Sequence, residues 1–174
     1  GVASCPEHLP RDMPDTTSPK LSTTQLAGDG PFTAHGIVEI SMDGPLMHYQ
    51  CRGPFNRELV DVLAVAQRDY LQTTRPQGIW VSICTMVESA MTSPEGLARY
   101  ADVMATPKPD NMVPIATAFV IAPNVEGSRI MAPLYAKIYS DIGRPFCLFE
   151  TLPEAQEWAQ AMIDKARTGN PALT

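Results

Sequence analysis

Long apolar runs and clusters of a single charge are both missing from this chain of 174 residues. No stretch reaches the roughly 18 uninterrupted apolar residues of a membrane-spanning helix. The 13 Lys and Arg residues are scattered among 19 acidic residues, and the net charge is −6. Because nucleic-acid binding needs a concentrated basic face, this balance argues against a nucleic-acid partner, and there is no polybasic segment for a membrane surface.

Motifs that bind cofactors or metals are missing as well. No GxGxxG segment follows a predicted strand, and no Walker loop is present. The three histidines, His8, His35 and His48, stand singly, and their spacing is unlike that of a zinc ligand set. The sequence therefore predicts neither a cofactor nor a metal.

Cysteine is scarce, with four residues that lie far apart and form no CxxC pair. Cys51, Cys84 and Cys147 fall in or at the ends of predicted strands, where a free Cys behaves as a small buried apolar residue. This usage favours a reduced, cytoplasmic setting, with one disulfide as the open alternative. Residues 2–5 resemble a bacterial lipobox, but no apolar segment precedes them in this sequence, so we do not expect a lipid on Cys5.

The composition changes near residue 32. Residues 1–31 are rich in Pro, Ser, Thr, Asp and Gly and show no periodicity, as in a linker or extended arm. A sheet edge or a neighbouring subunit could hold such an arm in place. We predict one α/β domain over residues 32–167 and a frayed tail over residues 168–174.

Within that domain, strand patterns alternate with helix patterns. The strands are predicted at residues 35–42, 46–51, 79–84, 115–122 and 146–149, and helices follow the second, third, fourth and fifth of them. The first two strands flank an Asp-Gly-Pro turn and form a hairpin. The later strands are almost wholly apolar, which predicts burial on both faces, as in parallel sheets. The predicted fold is a mixed sheet of about five strands, a hairpin followed by parallel βα units, with about four helices.

This order resembles the STAS-like domains, the family of the SpoIIAA-like antagonists of anti-sigma factors, and in particular the STAS/SEC14-like bacterial proteins, most of them uncharacterised. The residues that carry the resemblance lie within residues 33–165 and read HGIVEISMDGPLMHYQCRGPF, GIWVSIC and AFVIAPNVEGSRIMAPLYAKIYSDIGRPFCLFETLPEAQEW. The resemblance implies a non-enzymatic regulatory or protein-interaction domain. The antagonists carry a phosphorylatable Asp-Ser pair after the third strand; here Glu88, Ser89 and Ser93 stand nearby, and none reproduces the pair.

Two ways of binding a protein partner follow from these positions. Glu88, Ser89 and Ser93 are candidates for a phosphorylation switch or a partner contact, although a plain helix cap is the favoured interpretation of Ser93. The loops at residues 85–93 and 123–128 are the predicted interaction surface, and a homodimer is a further candidate assembly.

An alternative hypothesis is a carrier or sensor of a small apolar, lipid-like molecule. The chain has nine methionines, which either fill gaps in a core or line an adaptable pocket. A cleft is predicted between the helices at 94–104 and 128–142, with the proline-rich loop 105–114 over its mouth. Its predicted lining residues are Met91, Met104, Asn124, Ser128, Arg129, Met131, Tyr135 and Tyr139.

A third hypothesis is an enzyme that uses Cys84 as its nucleophile. A reactive thiolate needs a neighbouring base or a positive field. The nearest candidate bases in the sequence, His35 and His48, lie on the hairpin, and no motif brings them to Cys84. The enzyme is therefore the least favoured of the three hypotheses.

Overall fold

Residues 20–26 and 32–169 are described in a computed structural model of the chain, which contains one sheet and four helices. The strands are β1 (Leu21–Ser22), β2 (Ile37–Asp43), β3 (Leu46–Arg52), β4 (Val81–Val87), β5 (Ala116–Ile121) and β6 (Phe146–Phe149). The helices are α1 (Arg57–Thr74), α2 (Pro94–Ala105), α3 (Ser128–Asp141) and α4 (Leu152–Gly169). Most of the predicted arm and tail, with Cys5, lies outside the described residues.

The strands stand in the sheet in chain order, from β1 at one edge to β6 at the other. β1, β2 and β3 pair antiparallel, and β3, β4, β5 and β6 pair parallel. The predicted α/β class and the parallel pairing of the last three strands are confirmed. Among the described residues, no helix is both long and apolar enough to cross a bilayer.

The sixth strand, β1, comes from the segment that we predicted as an arm. Leu21 and Ser22 pair with Ile40 and Glu39 of β2. The Thr23 hydroxyl then accepts a hydrogen bond from the Val38 backbone N–H at 3.0 Å. Two residues are too few to show an alternating pattern, and this is why the sequence predicts about five strands and not six.

The helices divide unequally between the two faces of the sheet. Crossovers of one hand in a sheet ordered by chain position bring every connecting helix to the same face. Accordingly, α1, α2 and α3 share one core with the sheet, here called the three-helix face. α4 follows the last strand and packs alone on the opposite side, the α4 face.

Side-chain caps fix where the first helices begin. The Asn56 carboxamide accepts from the Leu59 N–H at 3.0 Å, and also from the His35 N–H at 2.8 Å. Asn56 therefore both caps α1 and ties it to the segment that enters β2. The Ser93 hydroxyl accepts from the Gly96 N–H at 3.1 Å, with Pro94 as the first residue of α2, as the sequence predicts.

Candidate functional site

A crevice runs between the three-helix face of the sheet and the helices that cover it. The alternation of side chains along β4 turns Ser82, Cys84 and Met86 toward this face. Residues four apart along the helices, such as Tyr100 and Met104 of α2, line the side of the crevice opposite the sheet. The main lining residues are Tyr49, Cys51, Phe55, Leu59, Leu63, Ser82, Cys84, Met86, Tyr100, Met104, Phe119, Tyr135, Tyr139 and Arg144.

The crevice is narrow. Atoms leave roughly 710 Å³ unfilled along it and its opening, but only about 70 Å³ is wide enough for the centre of a water molecule. A space of about 150 Å³ is what accommodates benzene in an apolar protein core. The accessible part of the crevice is therefore smaller than a cavity that holds an aromatic ring.

An aromatic cluster forms one wall of the crevice. The Phe119 ring centroid lies 5.1 Å from that of Tyr135, 5.5 Å from that of Tyr139 and 5.2 Å from that of Phe146. The rings of Tyr139 and Phe146 stack at 4.6 Å. Tilted and offset ring pairs of this kind add stability beyond the burial of their area, so this wall is firm.

Hydroxyl groups in and around the crevice are paired with one another, with the backbone or, for Tyr49, with the Met47 sulfur. The Ser82 and Thr117 hydroxyl oxygens lie 2.8 Å apart, and the hydroxyls of Tyr100 and Tyr139 share a hydrogen bond. The Tyr135 hydroxyl donates to the Ala90 carbonyl oxygen at 2.5 Å. These pairs satisfy buried polar groups without adding charge.

Burial keeps the acidic groups of the lining in their neutral forms. It raises the pKa of the Cys51 thiol to about 12 and lifts the pKa of Cys84 well above its usual range. The pKa values of Tyr49, Tyr100 and Tyr139 are raised in the same way. At neutral pH these side chains offer neutral hydroxyl and thiol groups, and Cys84 lacks the thiolate that a nucleophile requires.

One cation, Arg144, lies at the end of the crevice where the parallel strands begin. It follows Gly143, just beyond the end of α3, and precedes β6. Its guanidinium carbon lies 5.8 Å from the centroid of the Tyr139 ring. Together with Met104, Arg144 also lines an open outer compartment of about 400 Å³, bounded in part by residues 105–108.

The opposite end of the crevice is closed by interlocked loops. The Ala90 N–H donates to the Glu126 carbonyl oxygen at 2.9 Å, and the Ser89 hydroxyl donates to the Glu126 carboxylate at 2.9 Å. The Gly53 N–H donates to the Ser89 carbonyl oxygen at 3.1 Å. A Cβ on Gly53 would collide with that oxygen, so this close approach requires glycine.

The predicted site residues divide between the crevice and the interlocked loops at its closed end, here called the rim. Met104, Tyr135 and Tyr139 line the crevice. Met131 is buried in the same core, and Met91 packs against Gly127, where a Cβ would strike its sulfur. The remaining predicted residues lie on the rim: Glu88, Asn124 and Arg129 are exposed, Ser93 and Ser128 are half-buried, and Ser89 is buried.

Three more of these rim residues, besides Ser89, have local structural partners. Glu88 pairs with Arg52, and its own backbone is left-handed, with φ 62°. The Ser128 hydroxyl donates to the Pro123 carbonyl oxygen at 3.2 Å. Ser93 caps α2, which is the plain structural role that the sequence left open.

Residues that the prediction missed include Tyr49, Tyr100 and Arg144. Tyr100 was recognisable, because Leu97, Tyr100 and Met104 share one helical face by their spacing. Arg144 could not be placed from its neighbours, since the short link between α3 and β6 gives no sign of where its side chain lies. Arg144 belongs to the site because its side chain lies at the end of the crevice.

A scan against protein-family models, a search of curated proteins and a search of solved structures each gave no match. The STAS-like resemblance therefore stays a prediction. Among the described residues, no three His, Cys, Asp or Glu side chains come together as potential metal ligands.

Proposed function

We propose that this protein binds a small apolar or amphipathic molecule in the crevice beneath α1, α2 and α3. The observation that supports this best is unfilled space lined by apolar side chains and neutral hydroxyls, with few polar groups to fix orientation. That composition is usual for a small-molecule site. We favour the carrier or sensor hypothesis over the regulatory one because the crevice offers a place where such a molecule could bind.

The unfilled space has an energetic cost that a ligand would recover. Side chains that border unfilled space lack contact atoms on that side and lose the attraction that those contacts would provide. A bound aliphatic chain would restore the missing contacts and stabilise the folded state.

The neutral lining favours binding over catalysis. A covalent mechanism through Cys84 would need a thiolate, whereas burial and the nearby Cys51 raise the pKa of Cys84. The hydroxyls of Tyr100, Tyr135 and Tyr139 form hydrogen bonds that fix these side chains in the wall of the crevice. We therefore propose a non-enzymatic role.

Methionine methyl groups provide a direct test of binding. With methyl-labelled methionine, titration of hexan-1-ol should shift the NMR signals of Met86 and Met104, which line the crevice, and leave Met162 on the α4 face unchanged. The variant Leu63→Phe should abolish the shifts by filling the crevice. Val65→Phe, at an exposed position of the same helix, is the matched control. Shifts that persist unchanged in Leu63→Phe would contradict the proposal.

A second candidate function, a protein-interaction module, is favoured by exposed apolar residues on α3 and the adjoining edge strand. Ile130 is 63% exposed, Leu134 is 39% exposed and Leu148 of β6 is 37% exposed. Exposed apolar patches often mark interaction sites. If this surface mediates a homodimer, sedimentation of the wild type should report a dimer and Ile130→Asp a monomer; a monomeric wild type would contradict the homodimer.

A phosphorylation switch at the rim is best placed at Ser93. Ser89 is 4% exposed, and its hydroxyl is committed to the Glu126 carboxylate. A phosphate there would meet a negative charge and would have to open the loop. Ser93 lies at the start of α2, where a phosphate meets free amides. Mass spectrometry of protein from its own host should locate any phosphate at Ser93; a phosphate at Ser89 alone would contradict this assignment.

A further inference from the structure

The end of the crevice at which the parallel strands begin carries a positive charge, Arg144, that no carboxylate of the described residues neutralises. Among residues 20–26 and 32–169, four ion pairs form, and Arg144 belongs to none of them. Asp141 lines the same outer compartment, but its carboxylate is 2.7 Å from the Lys137 ammonium. A partly buried guanidinium without a carboxylate partner in the described part of the chain is suited to an anionic ligand, since it offers a planar set of donors.

A second cation, Lys108, lies at the same opening. Its ammonium donates to the carbonyl oxygens of Val103 and Thr106, at the carboxyl end of α2. Desolvation and the positive charge of Arg144 both lower the pKa of Lys108. Two cations that disfavour each other across an opening would both be stabilised by an anion placed between them.

The shape behind this opening suits an unbranched chain. The inward side chains of β4 that line the crevice run from Ser82 to Met86, about 13 Å at the usual rise of a strand. Met86 and Met104 border the space at different points along its length, and a methionine side chain can change its conformation to fit a bound molecule. A linear chain needs less width than a ring, and the accessible space is smaller than the one that holds benzene.

We propose that the crevice binds a linear aliphatic carboxylate, with its chain beneath the helices and its carboxylate held by Arg144, an inference that rests on the proposed binding function. The guanidinium would bind the two carboxylate oxygens side by side. Lys108 would add attraction from across the opening. Tyr139, which lies beneath the Arg144 guanidinium, positions it without contributing charge.

The test compares three probes that differ in one property each. Hexanoate has the chain and the charge, hexan-1-ol has the chain alone, and benzoate has the charge on a ring. Titrations followed by the methyl signals of Met86 and Met104 should give hexanoate the highest affinity, with hexan-1-ol about ten- to a hundredfold weaker. Benzoate should be weaker than hexanoate by a similar factor.

Variants then assign the head group to Arg144. Arg144→Gln should weaken hexanoate about ten- to a hundredfold and leave hexan-1-ol unchanged, and Arg144→Lys should retain part of the hexanoate affinity. Arg129→Gln, which removes an exposed arginine on the distant rim, is the matched control and should change neither ligand. An unchanged Met162 signal and circular dichroism spectrum verify that each variant is folded.

Each remaining outcome decides between the two proposals. Equal affinities for hexanoate and hexan-1-ol, both unaffected by Arg144→Gln, would overturn the carboxylate inference and leave the binding function standing. Benzoate binding as tightly as hexanoate would overturn the linear-chain assignment. No shift with any of the three probes in the wild type would overturn the binding function itself and the inference with it.

Discussion

The two faces of the sheet are packed in different ways. On the α4 face, Ala155 and Ala159 of the helix are fully buried against a surface that includes Ala116 and Ala118 of β5. Small residues on both sides let the helix approach the strand closely. Ile163 continues the same stripe at a spacing of four residues, so a single helix covers β4, β5 and β6 on this face.

On the three-helix face, the residues that meet are large and come from many elements. Phe119 of β5 faces rings from α3 and β6, and Tyr100 of α2 reaches Tyr139. These rings come from separate elements, and the crevice is the space that they leave between them. Unfilled space therefore occurs where bulky side chains from several elements converge, and alanines allow close packing on the opposite face.

The largest effect on this comparison should come from Phe119→Ala. Phe119 is buried and contacts three rings of the wall, so truncation removes the centre of the aromatic cluster. We expect the free energy of unfolding to fall by about 3–5 kcal/mol, measured by urea titration. Phe119→Leu, which keeps most of the volume, should lose clearly less. A loss below about 1 kcal/mol for the alanine variant would show that this wall does not support the fold.

The next effect contrasts added volume on the two faces. Ala159→Leu inserts three carbons where the packing is tight and should destabilise the protein by about 1–3 kcal/mol. In Leu63→Phe most of the ring takes the place of the leucine side chain, so only three further carbons enter the crevice. Because space is available there, the unfolding free energy should change by less than about 1 kcal/mol. If both variants cost the same, the two faces are equally packed and the comparison fails.

The elements of this fold could be predicted because their patterns are local. The apolar run at 146–149 coincides with β6, and the predicted helix starts at Ser93–Pro94 and at Ser128 coincide with the starts of α2 and α3. Ser93 caps α2 with its side chain, whereas α3 begins after Gly127 without a side-chain cap. Each of these depends on a few neighbouring residues. β1 could not be found in this way, because its two residues become a strand only by pairing with β2.

The site was predictable only where it follows helical spacing. Tyr135 and Tyr139 were found because they lie four residues apart on α3. Asn124 and Arg129 were predicted to line the cleft; they follow β5, at the end of parallel strands where ligands usually bind. The structure places the cation of the crevice at Arg144, before β6, because the rim loops bind each other and close the other end.

A moderate effect on the three-helix face should come from the buried hydroxyl pair of Ser82 and Thr117. Thr117→Val leaves the Ser82 hydroxyl without its partner at 2.8 Å and should cost about 1–2 kcal/mol of unfolding free energy. Adding Ser82→Ala removes the stranded hydroxyl, so the double variant should lose less than the sum of the two single variants. Strict additivity in this double-mutant cycle would show that the two hydroxyls do not interact.

The smallest effect concerns His48, whose side chain lies on the sheet face opposite the crevice, next to Leu46 and Gln50 in β3. Burial lowers the pKa of His48 below 6.5, and the nearby Asp43 carboxylate opposes this only in part. Below about pH 6.5 the unfolded chain binds a proton at this histidine more readily than the folded protein does. The unfolding free energy should therefore fall as the pH drops from 6.5 toward 5.5, and stay level with respect to His48 above that range. Urea titrations at pH 7.5 and 5.5 should show a larger loss for the wild type than for His48→Gln, because the variant has no imidazole to protonate. Equal losses in the two proteins would mean that His48 takes up a proton as readily in the folded protein as in the unfolded chain. The α4 face around His48 would then be accessible to solvent.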